Sequence, residues 1–250
     1  MRKLHAFGDS FVSGDQDDFL HDLEGTGIVA NHTMGYDERD NYLKYNVSFV
    51  SHIAKELDLE LINYSMRGSG NIPQLDKLVR AVLKGEIDKD DIIFFCFSTF
   101  LRDRVQLYRL SDQFIGAGKG PMLADEKAIQ CSSFRNEIEL IDCFNVLSTL
   151  DSISSRLGIR TIKCHAFDNS LDFVDDSFRT KYNFNDYVGW DVRGNTLIDI
   201  LNGTWGGGGK HQLHHDATMP ANLSHLYTRK NHPSVEGHQK IAKWFIDNVF

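Results

Sequence analysis

Ser10 stands in Gly8-Asp9-Ser10, directly after a short apolar run that begins at Lys3. Near the other end stands His232, in His232-Pro233-Ser234-Val235-Glu236-Gly237-His238. A serine hydroxyl is a weak nucleophile until a nearby imidazole takes its proton. Two such pieces at opposite ends of one chain are what a fold must join to carry out acyl transfer. Each has a plainer reading by itself. Gly-Asp-Ser is a common turn tripeptide in which the serine caps a helix, and a histidine before a helix is often only a surface residue. Together they favour chemistry: Ser10 Oγ attacks an ester carbonyl while His232 accepts the proton and returns it to the leaving alcohol. Asp9 is expected to organise the turn, and His238 to pack or cap at the helix start.

The blocks resemble those of the SGNH, or GDSL-type, hydrolase family. The family's Gly-Asp-Ser-x-x-x-Gly block is matched by Gly8-Asp9-Ser10-Phe11-Val12-Ser13-Gly14. Its second block is similar to Asn63-Tyr64-Ser65-Met66-Arg67-Gly68, followed by Ser69-Gly70-Asn71. Its last block is matched at His232, Pro233, Gly237 and His238. The resemblance implies a serine esterase, including one that removes O-acetyl groups from carbohydrates. It implies Ser10 as nucleophile, His232 as base, and the backbone N–H groups of Ser10 and Gly68 as oxyanion donors. Asn71 can add a side-chain donor, or simply open the following helix. No cofactor and no metal are implied.

The chain departs from the family in two places. Arg229 stands three residues before His232, where the family has an aspartate, and no Gly-x-Asn-Asp block follows the run Asp91 to Phe97. Loss of a triad aspartate costs up to about 10⁴ in kcat. A backbone carbonyl on Nδ1, or an acid from the insertion at 168–230 such as Asp216, would have to orient the imidazole. The alternative function is therefore a catalytically retired binding or structural module on the same fold. The variant blocks resemble divergent family members in bacteriophage genomes, which adds a virion-associated role to that alternative.

Other candidates carry less. His211, His214, His215 and His225 follow Gly206–Gly209. Zinc needs three or four converging ligands, and this spacing is not that of a His-Glu-x-x-His helix, so they read as solvated loop histidines. Trp190, Trp205, Tyr182, Tyr187 and Tyr227 read as loop or core packing before they read as a sugar- or protein-binding wall. The glycine-rich stretch from Gly116 lacks the Gly-Lys-Ser/Thr of a phosphate loop. Cys96 and Cys164 lie in apolar runs and read as small buried hydrophobes, with no Cys-x-x-Cys pairing anywhere.

These side chains need a frame, and the composition permits one. The chain has 250 residues, 41% of them hydrophobic and 25% charged, which is ordinary for a globular protein and predicts one domain over 1–250. A formal net charge of -8 disfavours nucleic acid as a partner and leaves small-molecule or carbohydrate esters open. The N-terminal residues lack the apolar core of a signal peptide, and no run approaches membrane-spanning length. A cytoplasmic protein that does not enter the membrane is expected.

The patterning predicts strands at Leu4–Phe7, Leu59–Asn63, Asp91–Phe97 and Thr161–Phe167. Helices are predicted from Val47 to Leu57, from Pro73 to Gly85, from Ile138 to Leu157 and after Ser234. Residues 15–45 read as an irregular excursion, and 168–230 as an irregular insertion. Strands alternating with helices predict a three-layer α/β/α sandwich around a mainly parallel, flavodoxin-like sheet. Sites in such sheets lie at the carboxyl ends of the strands. Ser10, Gly68 and Ser98 all fall there.

Overall fold

The structure is a computed structural model and describes residues 1–15, 36–98, 135–166, 196–204, 221–228 and 232–250. Among the described residues, the strands are β1 (Lys3–Phe7), β2 (Glu60–Asn63), β3 (Ile92–Phe97) and β4 (Arg160–His165). They form one parallel sheet in the order β2-β1-β3-β4. The register pairs Leu4 with Leu61 on one side and with Ile92 on the other, and Cys96 with Cys164 further along.

The helices are α1 (Ser10–Ser13), α2 (Tyr36–Tyr42), α3 (Phe49–Glu56), α4 (Asn71–Leu83), α5 (Arg135–Leu157), α6 (Leu197–Asn202) and α7 (Val235–Asn248). A π-helical turn at Leu43–Val47 and a 3-10 helix at Ala221–Leu226 complete the described elements.

The continuous apolar run of β3 is explained by burial on both faces, as parallel sheets require. Ile92, Phe94 and Cys96 join Leu4, Ala6, Ile162 and Cys164 in a core with Phe49, Ile53, Leu201, Ile241 and Phe245 from α3, α6 and α7. Ile93, Phe95 and Phe97 face the other way with Phe7, into a second core with Leu78 of α4 and Val146, Leu147 and Leu150 of α5. Period-two alternation thus supplies two cores, and the helices complete a three-layer α/β architecture.

Two sequence expectations are corrected. Residues 36–47 belong to α2 and the π turn rather than to an irregular excursion, and Val47 closes that turn instead of opening α3. The break is local chemistry: Ser48 is in an extended conformation and its side chain accepts from Ser51 N–H, so it caps α3. Val47 packs with Leu43 in a small separate cluster, whereas Val50, Ile53 and Ala54 of α3 join the main core, so the continuous apolar spacing from Val47 to Leu57 joins two distinct segments. The stretch 168–230 is likewise not irregular throughout, since α6 lies within it. Thr196 and Asp199 form a capping box at the start of α6, a signal too short to register in a periodicity scan. Among the described residues, no helix is long and apolar enough to cross a membrane.

Candidate active site

β1 sends the chain to β2 on one side and has β3 on the other. The crevice between the loops after β1 and β3 is therefore the point where an open α/β sheet offers a site. Ser10 opens α1 at that point. Asp9 caps the helix, its carboxylate accepting from Phe11 N–H at 3.0 Å. Gly8 permits the tight approach: a Cβ there would lie 2.4 Å from Val12 Cγ2 and 3.2 Å from Cys96 Cβ. A side chain at position 8 would meet Val12 and Cys96, so the turn can sit this low on β3 only with glycine there.

His232 reaches this serine from 222 residues away. Its Nε2 lies 2.9 Å from Ser10 Oγ, and its ring lies 5.7 Å from that of Phe11 at 53°. The main chain of His232 is held on both sides, its N–H donating to Thr228 Oγ1 and its C=O accepting from Thr228 N–H. Tyr227 and Pro233 form an antiparallel bridge, and Ser234 N–H donates to Leu226 C=O at 2.9 Å. The next turn is α7, where Ser234 Oγ accepts from Gly237 N–H at 3.1 Å. Gly237 is small for a reason, since a Cβ there would sit 2.3 Å from the Leu226 carbonyl oxygen. The last block of the sequence is thus the joint that seats α7 on the 3-10 helix and aims His232 outward.

His238 does other work. Fully buried, its Nδ1 accepts the N–H of Phe49 at 3.3 Å, satisfying a donor at the start of α3. Its ring stacks on Phe49, 6.2 Å between centroids. Burial first, then the nearby His52 and His232, push its pKa down to about 3. It is held neutral, as an acceptor must be.

The second block is stitched to the first. Tyr64 N–H donates to Ala6 C=O and Met66 N–H to Gly8 C=O, extending the parallel ladder past the strand ends. Asn63 is buried, its amide donating to Val12 C=O at 3.1 Å and its oxygen accepting from Ser65 N–H at 3.0 Å. Gly68 follows on an exposed turn with nothing within 4 Å of where a Cβ would be. Asn71 is turned toward β3, where its amide N–H donates to Ser98 C=O at 3.0 Å and its oxygen accepts from Ser98 N–H at 2.8 Å. It acts as a strand-like partner that terminates β3. Gln74 supports the floor, accepting from Gly8 N–H at 3.4 Å.

The structure therefore brings Ser10 and His232 together and sets Gly68 on the loop tied to the serine turn. Arg229, Asp216, His211, His214 and His215 lie outside the described residues. The sequence reading gave no role to Thr228, to the ion pairs around Arg67, or to the side chain of Asn63. Only Asn63 carried a local signal, as the first residue of the second block.

By sequence, neither a family model nor a curated protein matches the chain. Distant likenesses appear among solved structures. An acetyl xylan esterase from Geobacillus stearothermophilus matches at 15% identity over 98% of this chain and 93% of that one, with a TM-score of 0.46. A member of the lipolytic protein G-D-S-L family from Veillonella parvula matches at 11% identity, 100% and 98% coverage and a TM-score of 0.37. An alpha/beta hydrolase enzyme from the metagenome of Lake Arreo matches at 17% identity, 98% and 94% coverage and a TM-score of 0.37.

Proposed function

We propose that this chain is a serine ester hydrolase acting on small esters, carbohydrate O-acetyl esters among them, with Ser10 as nucleophile and His232 as base. The supporting observation is the 2.9 Å separation of Ser10 Oγ and His232 Nε2, within the reach a proton transfer needs. Ser10 Oγ attacks the ester carbonyl as its proton passes to Nε2. The C=O electrons move onto oxygen, which accepts from the backbone N–H groups of Ser10 and Gly68. When the tetrahedral intermediate collapses, the alcohol leaves with the proton held on Nε2, and the acyl group stays on Ser10. Water then attacks that acyl group, His232 takes and returns its proton, and the acid departs.

The hole rests on these main-chain donors, because the described bonds of the Asn71 amide run to Ser98. Loss of one donor costs about 2.7–4 kcal/mol of barrier, so the enzyme is expected to be slow beside one that has a dedicated side-chain donor.

The test is hydrolysis of p-nitrophenyl acetate by purified wild type, Ser10→Ala and His232→Ala. Residues that act as one unit each lose most of the activity singly. Both variants are expected at background. Turnover that survives in Ser10→Ala contradicts the assignment, and an inert wild type favours the retired binding module.

A further inference from the structure

Met66 to Ser69 form a hydrogen-bonded β-turn, with Ser69 N–H donating to Met66 C=O at 3.1 Å. Gly68, third in the turn, has φ 65°, whereas Arg67, second in the turn, is not among the non-glycine residues of positive φ. A negative φ followed by a positive one makes this a type II turn. Types I and II differ mainly by a half-rotation of the central peptide plane, which here is the Arg67–Gly68 peptide. Its N–H is the Gly68 N–H assigned above to the oxyanion. The turn type therefore decides which way that donor points.

A solvent-exposed glycine turn is free to change type unless something holds it. Here the Arg67 guanidinium lies between two carboxylates, Nη2 2.9 Å from Asp15 Oδ1 and Nε 3.6 Å from Asp40 Oδ1, contacts of charge rather than hydrogen bonds at Nε and at Oδ1 of Asp15. Asp15 is itself fixed to the nucleophile's helix, since its N–H donates to Ser10 C=O at 3.0 Å. Asp40, on α2, is 2.8 Å from Lys44 Nζ. A fixed positive charge between two carboxylates, one just after α1 and one on α2, is drawn to both, and that pull restrains the turn it hangs from.

We infer that Arg67, clamped between Asp15 and Asp40, is a positioning residue that locks the Arg67–Gly68 peptide in the orientation that aims the Gly68 N–H at the developing oxyanion. The inference rests on the Ser10–His232 reading. It adds a reason for arginine beside the glycine: charge complementarity ties the oxyanion arm to the element that carries the nucleophile. Arg67, Asp15 and Asp40 are partly exposed, with side-chain exposures of 23%, 12% and 23%. Because these pairs join a surface turn to α1 and α2 rather than to either hydrophobic core, the effect should appear chiefly in catalysis.

The experiment compares steady-state hydrolysis of p-nitrophenyl acetate and the rate of fluorophosphonate labelling in wild type, Arg67→Met, Arg67→Lys, and the isosteric pair Asp15→Asn and Asp40→Asn. Full loss of one donor lowers kcat by about 10²–10³. A donor held in the productive orientation only about 1–10% of the time should lower kcat roughly 10–100-fold, short of the full loss, with KM within about threefold and the melting temperature near wild type. Labelling should slow in parallel, because the phosphoryl oxygen uses the same donor. Arg67→Lys, which keeps the charge but reaches one carboxylate at a time, should fall between. If Arg67→Met folds poorly, the double Asp→Asn variant must show the same kcat loss. A kcat within twofold of wild type, or a loss confined to KM, overturns the inference while leaving the Ser10–His232 reading intact. A wild type that neither turns over nor labels overturns both.

Discussion

Replacing His238 with phenylalanine should change how stability depends on pH, and the size of the change follows from where the imidazole sits. His238 is fully buried, accepts the Phe49 N–H and stacks on the Phe49 ring. Burial and two neighbouring histidines put its pKa at about 3 in the folded chain, against an unfolded value near 6.5. The folded pKa lies below the unfolded one, so between about pH 3 and 6.5 the unfolded chain binds a proton that the folded chain does not. Stability then rises with pH. The contribution of the neutral imidazole is complete above pH 6.5 and is lost as pH falls toward 3, tenfold in the folding equilibrium for each pH unit. From pH 8 to pH 4.5 the loss amounts to about 3 kcal/mol, a large share of the roughly 5–15 kcal/mol that holds a domain folded. His238→Phe keeps the stacking, gives up the cap and removes the titration. Urea unfolding of both proteins at pH 8, 6.5, 5.5 and 4.5 supplies the test. Wild type should be the more stable at pH 8, and its advantage should shrink by about 3 kcal/mol by pH 4.5. A difference that stays flat across that range refutes the claim that His238 is held neutral.

Two further perturbations address the frame of the site. Gly237→Ala places a Cβ 2.3 Å from a backbone carbonyl oxygen; the cost should be about 1–3 kcal/mol by chemical denaturation, with a matching displacement of the His232 loop that lowers kcat. Asn71→Ala strips both partners from the buried main chain of Ser98. At roughly 1–3 kcal/mol for each orphaned group, thermal melting should register a loss of at least about 2 kcal/mol, and an unchanged melt would show that water replaces the amide.

Much of this frame was legible in the sequence where chemistry is local. Asp91 to Phe97 announced a strand buried on both sides, and β3 is that strand. Gly8 and Ser10 announced a turn after β1, Pro73 the first turn of α4, and Ser234 a cap on α7. Period and caps are properties of a few neighbouring residues, so they survive without the fold. What the sequence hid depends on distance. Nothing near Asn71 says that its amide will pair with the main chain of Ser98, 27 residues away. Nothing near His238 announces an acceptor for Phe49, 189 residues earlier. The small size of Gly237 is explained only when Leu226 is folded against it. The helices at 36–47 were obscured by composition, because an acidic, tyrosine-rich run lacks the apolar period that marks a helix.

The central claim is that Ser10 is a nucleophile made reactive by His232, and covalent trapping tests it most directly. Purified wild type is incubated with a fluorophosphonate, and the adduct is located by mass spectrometry. One phosphonyl group per chain, on Ser10, with labelling lost in Ser10→Ala and slowed by at least about 10²-fold in His232→Ala, is the predicted result. Wild type that remains unlabelled, or that is labelled at another residue while Ser10 stays free, would contradict the account.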